Sequence, residues 1–335
     1  MILRPLPPAQ RGAALLLAML TVTLVATLAS AALWQQWRNV EVEQAERGRQ
    51  QAAWILTGAL DWARLILRED ARTNQNTGSG DHLAEPWAVG LQEARLSSFL
   101  AADKSTEPPP ALEAFLSGDI QDQQARLNFS NLAHQGQLSE PDLRMFTRLF
   151  EQLGLPPAEM LAVARQWVAA SPAAAGTKLA PGTNVPLLPR RVAQLTWLGL
   201  SGASLDRIAP FVTVLPERTP VNLNTAPAEV LMASIPDLDK AQAQRLIERR
   251  AQQPFKALAD ASTALGGATD ALKADQHATA SRYFAVRGRL RLGERVLEEQ
   301  SLIVRNGLDV KTLWRERTAA TAHPLSENGQ TAFLQ

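Results

Sequence analysis

Side chains able to do chemistry are few and scattered in this chain. The four histidines, His82, His134, His277 and His323, have no carboxylate or second histidine at the spacing of a metal-ligand set, so each reads as a surface residue. The acidic pairs Asp119/Asp122 and Glu298/Glu299 are the right type for acid–base work. Neither has a partner group near it in sequence, and both read as solvated loop and strand faces. No phosphate loop, dinucleotide fingerprint or nucleophile elbow is present. The chain has no cysteine, which excludes disulfides, thiol catalysis and cysteine-ligated zinc. These absences describe a protein that is not an enzyme and needs no cofactor or small-molecule substrate.

The sharpest chemical candidate is residues 219–267. VNLNTAPAEVL, a tight turn at Pro236–Asp239, AQRLIERR and PFKALAD are spaced like a helix-hairpin-helix, which often binds DNA. Such modules hold phosphate on backbone amides exposed by a glycine-rich hairpin. This hairpin has no glycine, its proline removes a donor, and Asp237 and Asp239 repel phosphate. Arg245, Arg249 and Arg250 keep some basic character, but packing is the reading favoured and no nucleic-acid partner is expected. The whole-chain balance of 34 basic and 33 acidic residues agrees with that.

The elements that position these residues begin with RGAALLLAML. From Ala13 to Leu33 no side chain is charged. At about 1.5 Å per residue, those 21 residues span a hydrocarbon core. Arg4 and Arg11 precede the run and acidic residues start at Glu41, so the N-terminus stays cytoplasmic and the rest crosses. Ala29-Ser30-Ala31 is also an A-x-A signal-peptidase site, and on hydropathy alone a cleaved signal competes with a retained anchor. The continuation favours the anchor. No proline interrupts residues 9–85, and small or apolar residues recur at Gly48, Ala52, Ile55, Ala59, Trp62 and Ile66. Those steps of three and four form one helical stripe.

A short basic leader ending in glycine, an uncharged run and an amphipathic continuation together resemble a type IV prepilin or pseudopilin. The resemblance implies that a prepilin peptidase cuts after Gly12 and that the new N-terminus, Ala13, is methylated. Most pseudopilins have a glutamate five residues after the cut; this chain has Leu17. The stripe Gly48–Ile66 would then bury against helices of sister subunits.

Further along, 73–81 reads as a polar loop, and Pro86-Trp87 opens a short helix including Leu91, Leu96, Phe99 and Leu100. Within 117–132, SGDIQDQQARLNFSNL alternates at Ala125, Leu127 and Phe129 and reads as one strand. Residues 139–276 turn helical, with Pro141 and Pro157 at helix starts. Asn224-Thr225 reads as a cap ahead of Pro227. YFAVRGRLRL and RVLEEQSLIVRN then alternate across Gly293 as a hairpin, and VKTLWRER, 310–317, is one more strand. A lone strand near 127 must join the later strands, so the helical block is an insertion into a small α/β domain.

That α+β layout resembles the K family of minor pseudopilins of the type II secretion system. Its most specific pieces are RGAALLLAML, GDIQDQQARLNFSNL and TPVNLNTAPAEVL. The domains expected are a leader (1–12), an N-terminal helix (13–68, transmembrane over 13–33) and a first part of the pseudopilin core (69–132). A helical insertion of two sterile-alpha-motif-like units follows (133–280, the second from about 219), then core strands (281–317) and a disordered tail (318–335). The resemblance implies an inner-membrane, single-pass protein with a periplasmic body. Its partners would be I- and J-type minor pseudopilins, the major pseudopilin and the prepilin peptidase, and its work nucleating or capping the pseudopilus tip for protein export. Family members often carry calcium in the helical domain. Here Met160 to Leu205 contains no Asp or Glu, and calcium wants several carboxylate oxygens, so no calcium is assigned.

Overall fold

The computed structural model describes residues 11–96, 114–171, 186–267, 271–293 and 295–320. Helix α1 runs from Arg11 to Thr77 through two compact units that divide after Ile55. Among the described residues the first unit is helix, and its large apolar side chains from Leu15 to Leu33 are exposed. The helix is longer than the sequence pattern indicated. Past Arg68 its polar residues face outward, while Asp70 and Ala71 stay buried. Gly78, with φ of +63°, supplies the left-handed residue that ends it, and its amide bonds to Asn74 O.

The second unit is built on a five-stranded antiparallel sheet, β1(Leu91–Arg95), β2(Ala114–Asp122), β3(Tyr283–Leu292), β4(Arg295–Asn306) and β5(Asp309–Ala320), in the order β1-β2-β3-β4-β5. The helix expected from Pro86 is one 3-10 turn, Pro86–Ala88, and Leu91–Arg95 instead pairs with β2 as an edge strand. The one strand expected within 117–132 divides: residues 117–122 belong to β2 (Ala114–Asp122), which has a nine-position register with β3, while Leu127–Asn128 is a separate two-residue strand paired in parallel with Val212–Thr213. Leu127 and Phe129 enter the helical core instead. β5 reaches Ala320, so residues 318–320 of the expected tail are strand; 321–335 lie outside the described residues. The β3–β4 hairpin turns at Gly293 (φ +59°) as its sequence predicts.

Period-two alternation gives the sheet two apolar faces. Phe284, Val286, Ile303 and Val310 pack with Leu60, Ala63 and Leu67 of α1 and with Trp87. Tyr283, Leu302 and Val304 face the other way, with Leu215 and Trp314. Gly288 permits the close approach of α1: a Cβ there would lie 3.3 Å from Leu56 Cδ2.

Between β2 and β3 sits the helical block: α2(Glu140–Gln152), α3(Pro157–Ala170), α4(Gly202–Ile208), α5(Ala228–Ser234), α6(Lys240–Gln252) and α7(Leu258–Ala264). Its core is one apolar cluster in which Phe129 stacks on Phe146 (4.6 Å) and Trp167 (5.6 Å). Pro141 and Pro157 occupy first-turn positions, where a missing N–H costs nothing.

Candidate functional site: the faces of the long helix and a buried polar node

The leader residues 1–10 lie outside the described residues. Gly12 and Ala13 fall in the first turns of α1, and Leu17 is exposed on the apolar run. Thr21, Thr23 and Thr27 each donate to a carbonyl three or four residues back, so these three hydroxyls have internal partners. A span in lipid requires that.

The stripe read from the sequence divides in the structure. Ala52 is fully buried, Gly48, Ile55, Ala59 and Ile66 are half-buried, and Trp62 is 54% exposed. The buried stripe runs instead through Ala52, Leu56, Leu60, Ala63, Leu67 and Ala71. Ala52 is therefore corrected from an exposed contact offered to sister subunits to a buried residue. The cause is that α1 is apolar on two sides, so steps of three and four fit more than one stripe. Trp54 (78% exposed) and Leu65 (50%) fall, with Gly58, on the side opposite the buried stripe.

Beneath the C-terminal turns of α1 lies a buried polar node that no sequence motif announced as such. Asp70 of α1, with Asp81 and Glu85 of the following turn, places three carboxylates within 4.8 Å of one another, all buried. Arg305 of β4 enters among them: its Nη1 donates to Asp70 Oδ2 at 2.7 Å and its Nη2 to Asp81 and to Ser281 O. Burial draws the guanidinium down, but Asp81 and Asp70 outweigh it and leave Arg305 above its ordinary range. Glu85 accepts from Trp87 Nε1 (2.7 Å), His82 N (2.8 Å) and Asn74 Nδ2 (2.9 Å). Because Arg305 stands between two of the carboxylates as their cation, the donor set does not suit calcium.

Charge is left over at this node. Burial first, and then the charge of Glu85, push Asp70 up to about 7 against the pull of Arg305. Its ordinary value is 3.8, so between those limits the folded chain holds a proton that the unfolded chain releases. The part of the stability that Asp70 contributes is therefore fullest near pH 4 and is lost as pH rises toward 7. Asp122, which burial pushes to about 6 against hydrogen bonds from Ser281, Thr225 and Gln124 N, adds a loss over the lower part of that window. Buried His277, pushed from 6.5 down to about 4, works the other way and gains stability between those values, so urea unfolding of the detergent-solubilised full chain is expected to show a net of only about 2 kcal/mol less stability at pH 7.5 than at pH 4.5. In Asp70→Asn the slope between pH 6 and 7.5 should flatten, and an unchanged slope there would refute the assignment.

The same node joins the two most distinctive sequence motifs. Asp122 Oδ2 accepts from Thr225 Oγ1 (2.6 Å), Ser281 Oγ (2.6 Å) and Asn222 Nδ2 (3.1 Å). Gln124 Nε2 donates to Pro220 O. Asn128 reaches Glu217 O and Thr219 Oγ1, and Asn131 exchanges two bonds with the Thr219 backbone. GDIQDQQARLNFSNL and TPVNLNTAPAEVL are thus zipped side by side. Thr225 bonds to Asp122 and Asn224 to the Phe255 backbone, so this pair is a joint between segments rather than the helix cap expected; Pro227 occupies the cap position of α5.

The nucleic-acid candidate is occupied by its own protein. Asp239 caps α6 by accepting from Gln242 N at 2.7 Å while the Gln242 side chain returns to Asp239 N. Of the amides a phosphate would meet, that of Gln242 already faces the Asp239 carboxylate and that of Asp239 the Gln242 side-chain oxygen. Arg250 is buried and donates to Leu223 O and Ala226 O; Arg245 and Arg249 are exposed.

Three surface readings need correction. His277 is 1% exposed; its Nδ1 accepts from Lys273 N, and burial pushes it down to about 4, which keeps the ring neutral. Asp122 and Glu299 are buried rather than solvated, the latter paired with Arg317 and Arg315. Their companions Asp119 and Glu298 are half-buried.

Arg305 and Asp70 were missed by motif reading, although periodicity marked them. In SLIVR, Ile303 faces α1 and Arg305 shares its face by the period of two. Asp70 stands three residues after the buried Leu67. A charge on an inward position of each of two packed elements is the signal.

Residues 125–217 and 221–280 match two family models, both described as type II secretion system protein K. The chain is 27% identical to type II secretion system protein K of Pseudomonas aeruginosa, over 85% of this chain and 86% of that protein. It is 30% identical to the Klebsiella pneumoniae protein of the same name, over 75% and 78%. Among solved structures it is similar in fold to a chain of the GspK–GspI–GspJ complex from enterotoxigenic Escherichia coli, with a TM-score of 0.61, 18% identity, and coverage of 83% of this chain and 99% of that one.

Proposed function

From the chain's membership of the type II secretion system protein K family, we propose that it is a minor pseudopilin that starts or caps the pseudopilus from its tip. Prepilin peptidase cuts it after Gly12, and the new terminus at Ala13 is methylated. The helix holds it in the inner membrane, with its N-terminus cytoplasmic and its body periplasmic. Its partners are I- and J-type minor pseudopilins, as in the complex whose chain it resembles in fold. No Asp or Glu lies between Met160 and Leu205, so no calcium is assigned there, and the work of the protein is assembly.

The observation that carries this reading is that α1, besides the face it buries, leaves large apolar side chains outward. A helix apolar on two sides has two partners. Trp54 and Leu65, with Gly58 allowing close backbone approach, form the side offered to sister helices. Leu17 supports the tip position. A carboxylate at that depth costs about 2.5–3.5 kcal/mol unless paired, and a subunit with none above it has no neighbouring amine to pair with.

Trp54→Asp tests the assembly surface. Trp54 is exposed, so the variant should fold and melt like the parent. Its co-purification with I- and J-type partners should weaken about thirty-fold, as for a central interface tryptophan of about 2 kcal/mol, and secretion should fall with it. Unchanged capture would remove this face from the assembly.

A further inference from the structure

We infer that Trp34, Trp37 and Arg38 form an interfacial anchor that seats α1 in the lipid headgroup layer on the periplasmic side. The inference rests on the reading above that the apolar segment is retained rather than cleaved. After Arg11 the first charged residue is Arg38, and the helix between them is unbroken. Those 27 steps rise about 40 Å, the thickness of a bilayer with its headgroups. The run Ala13–Leu33 within them matches the hydrocarbon core alone, at about 30 Å. The residues between Leu33 and Arg38 therefore coincide with one interfacial layer.

What occupies that layer has the chemistry the layer favours. Trp34, Trp37 and Arg38 stand at i, i+3 and i+4, and so share one helix face. The two indoles are 63% and 61% exposed, and the Arg38 guanidinium lies 4.9 Å from the Trp34 ring centroid. Indoles prefer the boundary where the ring is apolar on one side and its N–H is wet on the other. An arginine stacked on an indole still presents donors to phosphate oxygens. Gln35 and Gln36 supply further polar groups at the same level. Lipid is favoured over a protein partner because the cluster is continuous with the span and lies at the thickness where headgroups must be.

The absence of cysteine makes the test direct. Single nitroxide labels are placed at Leu28→Cys, Gln36→Cys and Glu43→Cys in the full-length chain, in vesicles of phosphatidylethanolamine and phosphatidylglycerol. Collision with oxygen and with a water-soluble nickel chelate reads depth. Label 28 is expected in hydrocarbon, 36 at phosphate depth and 43 in water. Adding Trp34→Ala and Trp37→Ala should shift label 36 from that depth. A label 36 as deep as 28 or as wet as 43, or one indifferent to the loss of both indoles, overturns the anchor. So does a label 36 that is wet alone and shielded only when I- and J-type partners are added, which assigns the face to protein. N-terminal sequencing separates the two levels: a mature start at Ala32 removes the retained span itself, whereas a start at Ala13 with any failure above removes only the interfacial assignment.

Discussion

Arg305→Met is expected to lower the stability of the body by about 3–5 kcal/mol at pH 7.5, a large share of what a domain has. Methionine keeps much of the side-chain volume, so the loss measures charge and hydrogen bonding more than packing. Arg305 is the cation among the buried carboxylates of Asp70, Asp81 and Glu85, with both terminal nitrogens engaged. Without it the carboxylates face one another in a medium that poorly screens them. The penalty should shrink near pH 5, where Asp70 can take up a proton. Because the pair is buried, added salt should do little to restore it. Asp70→Asn combined with Asp81→Asn in the Arg305→Met background should recover part of the loss, since removing both partners costs less than removing one. Urea unfolding of the three proteins at the two pH values checks this. An Arg305→Met chain as stable as its parent at pH 7.5 would mean that the node is not held by charge.

Gly12→Val should abolish maturation. A protease that reads the residue before the scissile bond needs close backbone approach, and a branched Cβ obstructs both the approach and the freedom of the chain to adopt the bound conformation. The expected product is a membrane-held precursor still carrying residues 1–12, inactive in assembly because its apolar run begins behind a charged leader. Mass spectrometry of the N-terminal peptide distinguishes the precursor from a methylated Ala13 start. A variant that still matures to Ala13 would place recognition elsewhere.

The elements with strong period were legible in the sequence: the long helix, the β3–β4 hairpin about Gly293 and the proline-started helices. What misled was local pattern without its partner. Ala125, Leu127 and Phe129 alternate like a strand, yet two of them are core residues of the helical block, because the register that decides β2 is written in β3, more than 150 residues away. Leu91 sits in a sequence with helical spacing, and pairing with β2 overrides it. The face of α1 was misjudged by about one residue because a helix covered on one side and apolar on the other offers several stripes to the same count. The node was hidden for a different reason. Its members come from separated stretches, and only the fold shows that the acidic residues after Leu67, Asn222 of VNLNTA and the arginine of SLIVR are neighbours.

Asp122 and Phe284 are register partners, so to the sheet everything from 123 to 282 is one connecting turn. Chain leaves and returns at adjacent positions, and the departure point is fastened to the return by Gln124 Oε1, which accepts from Arg282 N at 2.7 Å. Closing a long flexible loop costs entropy that grows with its length, and a pairing so distant in sequence is slow to find. A block that has already collapsed on its own core brings its ends together and turns that search into a short one. The order of events on the folding pathway is thereby biased: the insertion first, the middle of the sheet second, and α1 onto the finished sheet last. The same geometry keeps the block from being a free appendage: Asn222 and Thr225 hold the end of β2 through Asp122, and Leu215 seats against Tyr283, Leu302 and Val304, so the insertion and the strands that bracket it must change together.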